Sequence, residues 1–84
     1  MTRPIFNKRL QADLNKLNER ESFILLRTGQ GFTGPEIAKE LHLSPKTVDT
    51  YKIRTKLKLD VSHYNYRRTA FRFALQSYLN SHKK

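Results

Sequence analysis

The sequence has no cysteine and no tryptophan. Without thiols it can build neither a disulfide framework nor a thiolate metal site. Its histidines, His42, His63 and His82, are scattered and lack metal-ligand spacing. Glycine is scarce, and the close pair Gly29 and Gly31 reads as a helix stop rather than a phosphate-cradling loop. No apolar run reaches the length of a membrane span, and no signal peptide is recognisable. No nucleophile stands beside a base, and no carboxylates pair at useful spacing. Neither enzymatic chemistry nor a cofactor is therefore expected. At 84 residues the chain is one domain at most. Its core must be thin, so contact with a partner or a second copy would help it.

Acidic residues are also few, seven against 17 basic ones, for a net charge of +10. The imbalance is uneven. Residues 1–45 carry seven basic and five acidic side chains, and residues 46–84 carry ten and two. Such a patch attracts any polyanion and speeds encounter, but carries no sequence preference of its own. Its plainest reading is a merely soluble basic surface. DNA, RNA and anionic membrane would all be drawn to it.

What is present is concentrated between Thr33 and Asp60, TGPEIAKELHLSPKTVDTYKIRTKLKLD. Thr33 with Glu36 forms a capping box, and Pro35 sits in the first turn, where a missing N–H costs nothing. Ser44 is a second N-cap, followed by Pro45. These signals predict one helix from Gly34 to Leu41 and another from Pro45 to Leu59. Only His42 and Leu43 lie between the first helix and the second cap, which describes a helix-turn-helix. At 100° per residue, Val48, Tyr51, Lys52, Thr55 and Leu59 share a stripe that packs on the body. Lys46, Asp49, Thr50, Ile53 and Leu57 point outward, with Arg54 and Lys58 towards the flank. An amphipathic helix with a solvated charged face is the bland alternative; the capped partner helix and short turn favour a DNA-reading one.

These residues resemble a known family. LNERE (Leu17–Glu21), GQGFTGPEIAKELHLSPKTVDTY (Gly29–Tyr51) and KLDV (Lys58–Val61) look like the LuxR/FixJ-type, or GerE-type, DNA-binding domain. The resemblance runs from Leu17 to Leu79, with Glu36-Ile37-Ala38, Ser44, Thr47-Val48 and Lys58-Leu59 in register. It implies an all-α fold: a four-helix LuxR-type helix-turn-helix domain, here with an extra short N-terminal amphipathic helix. Four departures stand out. Asn18 replaces the usual Thr cap. His42 replaces the usual turn glycine and must then sit near the left-handed region. Thr55 and Lys56 occupy an apolar pair, and Arg27 an apolar position.

The chain then divides into an arm or helix over residues 1–16, the domain over 17–80 and a basic tail over 81–84. In the arm, Phe6, Leu10, Leu14 and Leu17 recur at helical spacing from about Ile5 to Lys16, with Thr2 or Asn7 as cap. It can dock on the domain, pair with a copy of itself, end a linker from a missing regulatory domain, or fray. Asn18 with Glu21 caps the first helix of the domain, and capping explains Glu21 fully. Phe23 and Leu26 are expected to anchor the core. In the last helix, from Tyr66 to Asn80, the spacing assigns Phe71, Ala74, Leu75, Tyr78 and Leu79 to the core. Tyr66, Ala70, Phe73 and Ser77 are left as the candidate dimer interface, in the helix through which the resembled family dimerises. The alternative is that Tyr66 and Phe73 pack on the N-terminal helix of their own chain.

Function follows from helix position and the family's pattern together. Asp49, Thr50 and Ile53 are expected to touch base edges, with Lys46 and Arg54 beside them. Asp49 either accepts from a cytosine amino group or orients Lys46, Lys52 or Lys56. Thr33, Thr47, Tyr51, Lys52, Lys56 and Lys58 are expected at phosphates. The leading expectation is a cytoplasmic, nucleoid-associated bacterial transcription regulator. It would bind double-stranded DNA as a homodimer, with a recognition helix over about 45–59 in the major groove. RNA polymerase or a missing regulatory domain are further partners; no membrane is. Two alternatives stay open. One is a domain like sigma-factor region four, against which KLDV and the long last helix argue. The other is a helix-turn-helix-shaped module that binds another regulator or the polymerase, and Asp49 favours it.

Overall fold

A computed structural model of the chain describes residues 12–59 and 65–81. The expected start of the N-terminal helix, with Phe6, Leu10 and the Thr2 or Asn7 cap, lies outside the described residues. So do residues 60–64 and 82–84. The described part is all-α. Residues 12–14 are helical. They are followed by α1 (Glu19–Gly29), α2 (Gly34–Leu41), α3 (Pro45–Lys58) and α4 (Tyr66–Ser81).

Local chemistry sets the helix starts. Asn18 Oδ1 accepts from the Glu21 N–H at 2.8 Å, and the Asn18 N–H donates to Glu21 Oε1 at 2.9 Å. Thr33 and Glu36 repeat the box at α2. Ser44 Oγ takes the Thr47 N–H at the head of α3, and Asn65 Oδ1 takes the Arg68 N–H at the head of α4. The turn between α2 and α3 is set by His42, at φ 59° and ψ 40°. The His42 N–H donates to Lys39 O and the Leu43 N–H to Ala38 O. This is a Schellman stop with histidine at the position glycine usually fills.

α1 runs between two half-cores. On one side Ile24 packs with Ile37, Ala38 and Val48, closing α1 onto the α2–α3 pair. On the other, Leu25 packs with Leu14, Leu59 and Ala70, joining α1 to α4 and to the helical end at 12–14. Adjacent residues on one helix therefore serve opposite neighbours. This corrects the expectation for α1, since Ile24 and Leu25 are fully buried while Phe23 and Leu26 are only half-buried. Phe23 instead lies under the Arg27 guanidinium, 5.0 Å from ring to cation.

The two faces of α4 are largely the reverse of those expected, and of the residues assigned to its core Ala74 alone is buried. Thr69, Ala70 and Ala74 are buried, and Tyr66 and Phe73 pack against the Leu14–Leu25–Leu59 cluster. Phe71 (59%), Leu75 (38%), Tyr78 (58%) and Leu79 (46%) are exposed. The cause is a close helix crossing. A β-carbon built on Gly29 would fall 1.9 Å from Ala70 O and 2.9 Å from Ala74 Cβ. Only the side of α4 carrying small residues can approach α1 so closely, and that turns its larger apolar residues outward. The candidate dimer residues Tyr66, Ala70, Phe73 and Ser77 thus lie on the packed side, where the alternative reading put Tyr66 and Phe73.

Candidate nucleic-acid interface

α3 presents its faces as its periodicity predicts. Val48, Thr55 and Leu59 are buried, and Tyr51 and Lys52 are half-buried. Thr55, the departure from the apolar pattern, is accommodated because its hydroxyl donates to Tyr51 O at 2.9 Å. A buried hydroxyl that returns its proton to its own helix carries little penalty. On the other side Lys46, Asp49, Thr50, Ile53, Arg54 and Leu57 are exposed. Ile53 is 57% and Leu57 74% accessible.

The structure qualifies what several of these groups offer a ligand. The Thr50 hydroxyl donates to Lys46 O at 3.1 Å, so the oxygen can serve a ligand as an acceptor. Asp49 and Lys52 converge on the start of α2. A β-carbon at Gly34 would lie 3.6 Å from Lys52 Nζ and 3.8 Å from Asp49 Oδ1. The Asp49 carboxylate therefore stands near the positive end of α2, where it offsets part of its repulsion from a polyanion. Of the expected phosphate-facing groups, Thr33 and Lys56 are exposed, and Thr47, Tyr51, Lys52 and Lys58 are half-buried. Thr47 Oγ1 is 2.9 Å from Ser44 Oγ, within the α3 cap.

Lys58 is committed elsewhere. Its Nζ donates to Glu21 Oε1 at 2.7 Å, and the Glu21 side chain is 1% accessible. Burial raises the Glu21 pKa, but the Lys58 hydrogen bond, the Asn18 N–H and the charges of Lys58 and Arg54 outweigh it. The carboxyl is held below its usual range. Glu21 is thus more than a cap. It ties the end of α3 to the start of α1, and α3 cannot rotate without exposing or stranding that charge.

Of two arginines on α1, Arg20 joins the surface without a sequence signal that marks it, and Arg27 stands where the resemblance puts an apolar residue. The Arg20 guanidinium lies 6.0 Å from the Tyr51 ring, and Arg54 stands over the same ring at 5.7 Å. Arg27 is clasped between Phe23 and Phe32 and donates to Gln30 Oε1 and Glu40 Oε2, each at 2.8 Å. It braces α1 against α2. Among the described residues no group of His, Cys, Asp or Glu converges to hold a metal, and no helix is long and apolar enough to cross a membrane.

The arrangement can present one helix, rigidly held, with polar and apolar tips in a row and cations on both flanks. A family model described as "Bacterial regulatory proteins, luxR family" matches residues 15–67. The uncharacterized response regulatory protein YgeK of Escherichia coli K12 is 49% identical over 47 residues, 56% of this chain and 32% of that protein. A putative transcriptional regulator of Pseudomonas aeruginosa is 47% identical over 47 residues, 56% of this chain and 23% of that protein. The response regulator UvrY of E. coli K12 is 37% identical over 54 residues, 64% of this chain and 25% of that protein. The chain therefore matches about a quarter to a third of the length of these curated relatives. No solved structure matches it to a significant degree.

Proposed function

Because the chain belongs to the luxR family of bacterial regulatory proteins, we propose that it is the part of a transcription regulator that binds specific sequences in double-stranded DNA. The observation that carries this reading is the exposed row Lys46, Asp49, Thr50, Ile53 and Arg54, on a helix whose opposite face is locked into the core. α3 enters the major groove, where that row meets base edges. Asp49 accepts from a cytosine amino group. The methyl of Thr50 and the side chain of Ile53 meet thymine methyls. Lys46 and Arg54 reach the edges of the contacted step. Thr33, Thr47, Tyr51, Lys52 and Lys56 meet phosphates, and Lys58, held by Glu21, contributes charge from the flank.

A second copy of the chain packs on α4 through Phe71, Leu75, Tyr78 and Leu79. These residues recur at helical spacing and leave an apolar stripe on a small domain, which favours association. The two copies then read two half-sites about one helical turn apart. The response regulators it resembles are several times longer than the matched region, so we infer that a signal-receiving part acts with this domain. DNA as target places it in the bacterial cytoplasm, and transcription control brings it within reach of RNA polymerase.

The test is selection from a random duplex pool at moderate salt. An enriched inverted repeat supports the reading. Binding without a motif leaves only charge attraction. A folded domain that binds no DNA points instead to a protein-interaction module, with Asp49 as its acidic contact.

A further inference from the structure

Beside α3, on the flank away from Arg20 and Arg54, lies a groove of about 730 Å³. The start of α2, one side of α3 and the start of α4 form its walls. Lys52 and Lys56 line it from α3, and Arg67 lines it from α4. Thr33 and Phe71 also line it. Among the described residues no carboxylate lines it. Lys56 Nζ is held 5.3 Å from the Tyr66 ring, so one of the cations is positioned rather than free to sweep solvent. None of the three cations makes an ion pair of those found among the described residues.

We propose that this groove is a clamp for one DNA strand's sugar–phosphate backbone, with Arg67 as a DNA-binding residue supplied by α4. The inference rests on the DNA-binding reading above and adds a site to it. Three cations with no acid among the described lining residues, spread over two helices, fit a polyanion that passes along the groove. They do not fit an apolar partner or a small neutral ligand. A line of phosphates matches this better than a point anion, because the cations come from two walls, Lys52 and Lys56 from α3 and Arg67 from α4. The apolar part of the lining, Tyr66 and Phe71, suits the deoxyribose faces between phosphates. Lys52 and Lys56 extend from the helix that reads the bases, so the strand held here borders the contacted step. Phe71 also belongs to the exposed stripe of α4, so the clamp adjoins the surface that a second copy covers. Phosphate binding and pairing of two copies then share the start of one helix.

The test uses the whole chain and the duplex chosen by selection, with single phosphates replaced by neutral methylphosphonates. Binding is followed by fluorescence anisotropy over a salt series. For the unmodified chain, neutralising one or two neighbouring phosphates beside the contacted step should weaken binding about fivefold each at physiological salt. Arg67→Gln should lower the salt slope by about one, weaken all duplexes alike, and leave the selected motif unchanged. The variant should also become indifferent to at least one of those methylphosphonates. Arg67→Lys should keep the slope. Circular dichroism checks that the variants fold, and the methylphosphonate scan on the unmodified chain needs no variant at all. An unchanged slope in a folded Arg67→Gln that still binds its motif would overturn the clamp alone. So would a scan with no sensitive phosphate outside those touched by the outward row. Failure of the unmodified chain to bind DNA would overturn both readings, and binding to an acidic protein instead would reassign the groove.

Discussion

Lys58 and Glu21, 37 positions apart in the chain, meet at 2.7 Å, and the glutamate is buried. One carboxylate therefore performs two tasks. It closes the cap of α1 and anchors the far end of α3. Removing the cation should strand a buried charge, whereas the lysine end is partly solvated, so the cost falls below that of a fully buried pair. Lys58→Met should destabilise the domain by about 2 kcal/mol in chemical denaturation. The pH dependence has a definite sign. The Glu21 pKa is lowered from 4.5 in the folded chain, so its contribution is present above that value and is lost as pH falls through the folded pKa. A Glu21→Gln variant should lose stability at neutral pH and show a flatter acid limb than the parent. An unchanged acid limb would show that the pair carries no linkage.

His42 adopts φ 59° without the freedom of glycine. The left-handed region costs an ordinary residue roughly 1 kcal/mol. His42→Gly recovers that strain but makes the unfolded chain more flexible. The net expectation is a gain of about 0.5 kcal/mol and a small rise in Tm, with DNA affinity unchanged. A loss of stability would mean that the imidazole makes a compensating contact.

Gly29 should tolerate nothing larger. Alanine is the better helix former by about 1 kcal/mol, so on propensity alone Gly29→Ala should stabilise α1. The β-carbon would, however, land 1.9 Å from the Ala70 carbonyl oxygen, which is backbone and cannot rotate aside. α1 and α4 must separate. A loss on the order of 3 kcal/mol is expected in thermal or denaturant unfolding.

The two sides of α4 should respond differently to charge. Leu75→Arg lies on the exposed stripe, so it should keep the fold and disrupt pairing of two copies. Sedimentation, or the steepness of binding to a two-half-site duplex, would report it. Ala70→Arg lies in the core and should unfold the domain. If Leu75→Arg pairs as well as the parent, the second copy does not sit on this stripe.

Much of the fold was legible because the signals are local. Asn18, Thr33 and Ser44 cap within three residues of themselves, and the helix boundaries follow from them. The left-handed turn at His42 was legible only through the resemblance, because the family usually has glycine there. The outward row of α3 was legible because its inward stripe, Val48 to Leu59, is regular. The faces of α4 were not legible. Apolar residues lie all round that helix, and what chooses between its sides is the space left by Gly29, 41 positions before Ala70. Likewise the Glu21–Lys58 pair, the stacking of Arg20 on Tyr51 and the place of Arg67 in a groove depend on contacts across the fold. No spacing within one helix announces them.

On the reading proposed above, α3 reads base sequence through Asp49, Thr50 and Ile53. The most direct measurement compares the affinity of the chain and of Ile53→Ala for the selected duplex, for the same duplex with uracil replacing each thymine, and for a scrambled one. The parent should prefer the selected duplex and lose about 1–3 kcal/mol when one particular thymine loses its methyl group. Ile53→Ala should be weakened on the selected duplex and should no longer sense that methyl group. If the parent binds all three duplexes equally, or Ile53→Ala retains full discrimination, α3 does not read the bases through this row.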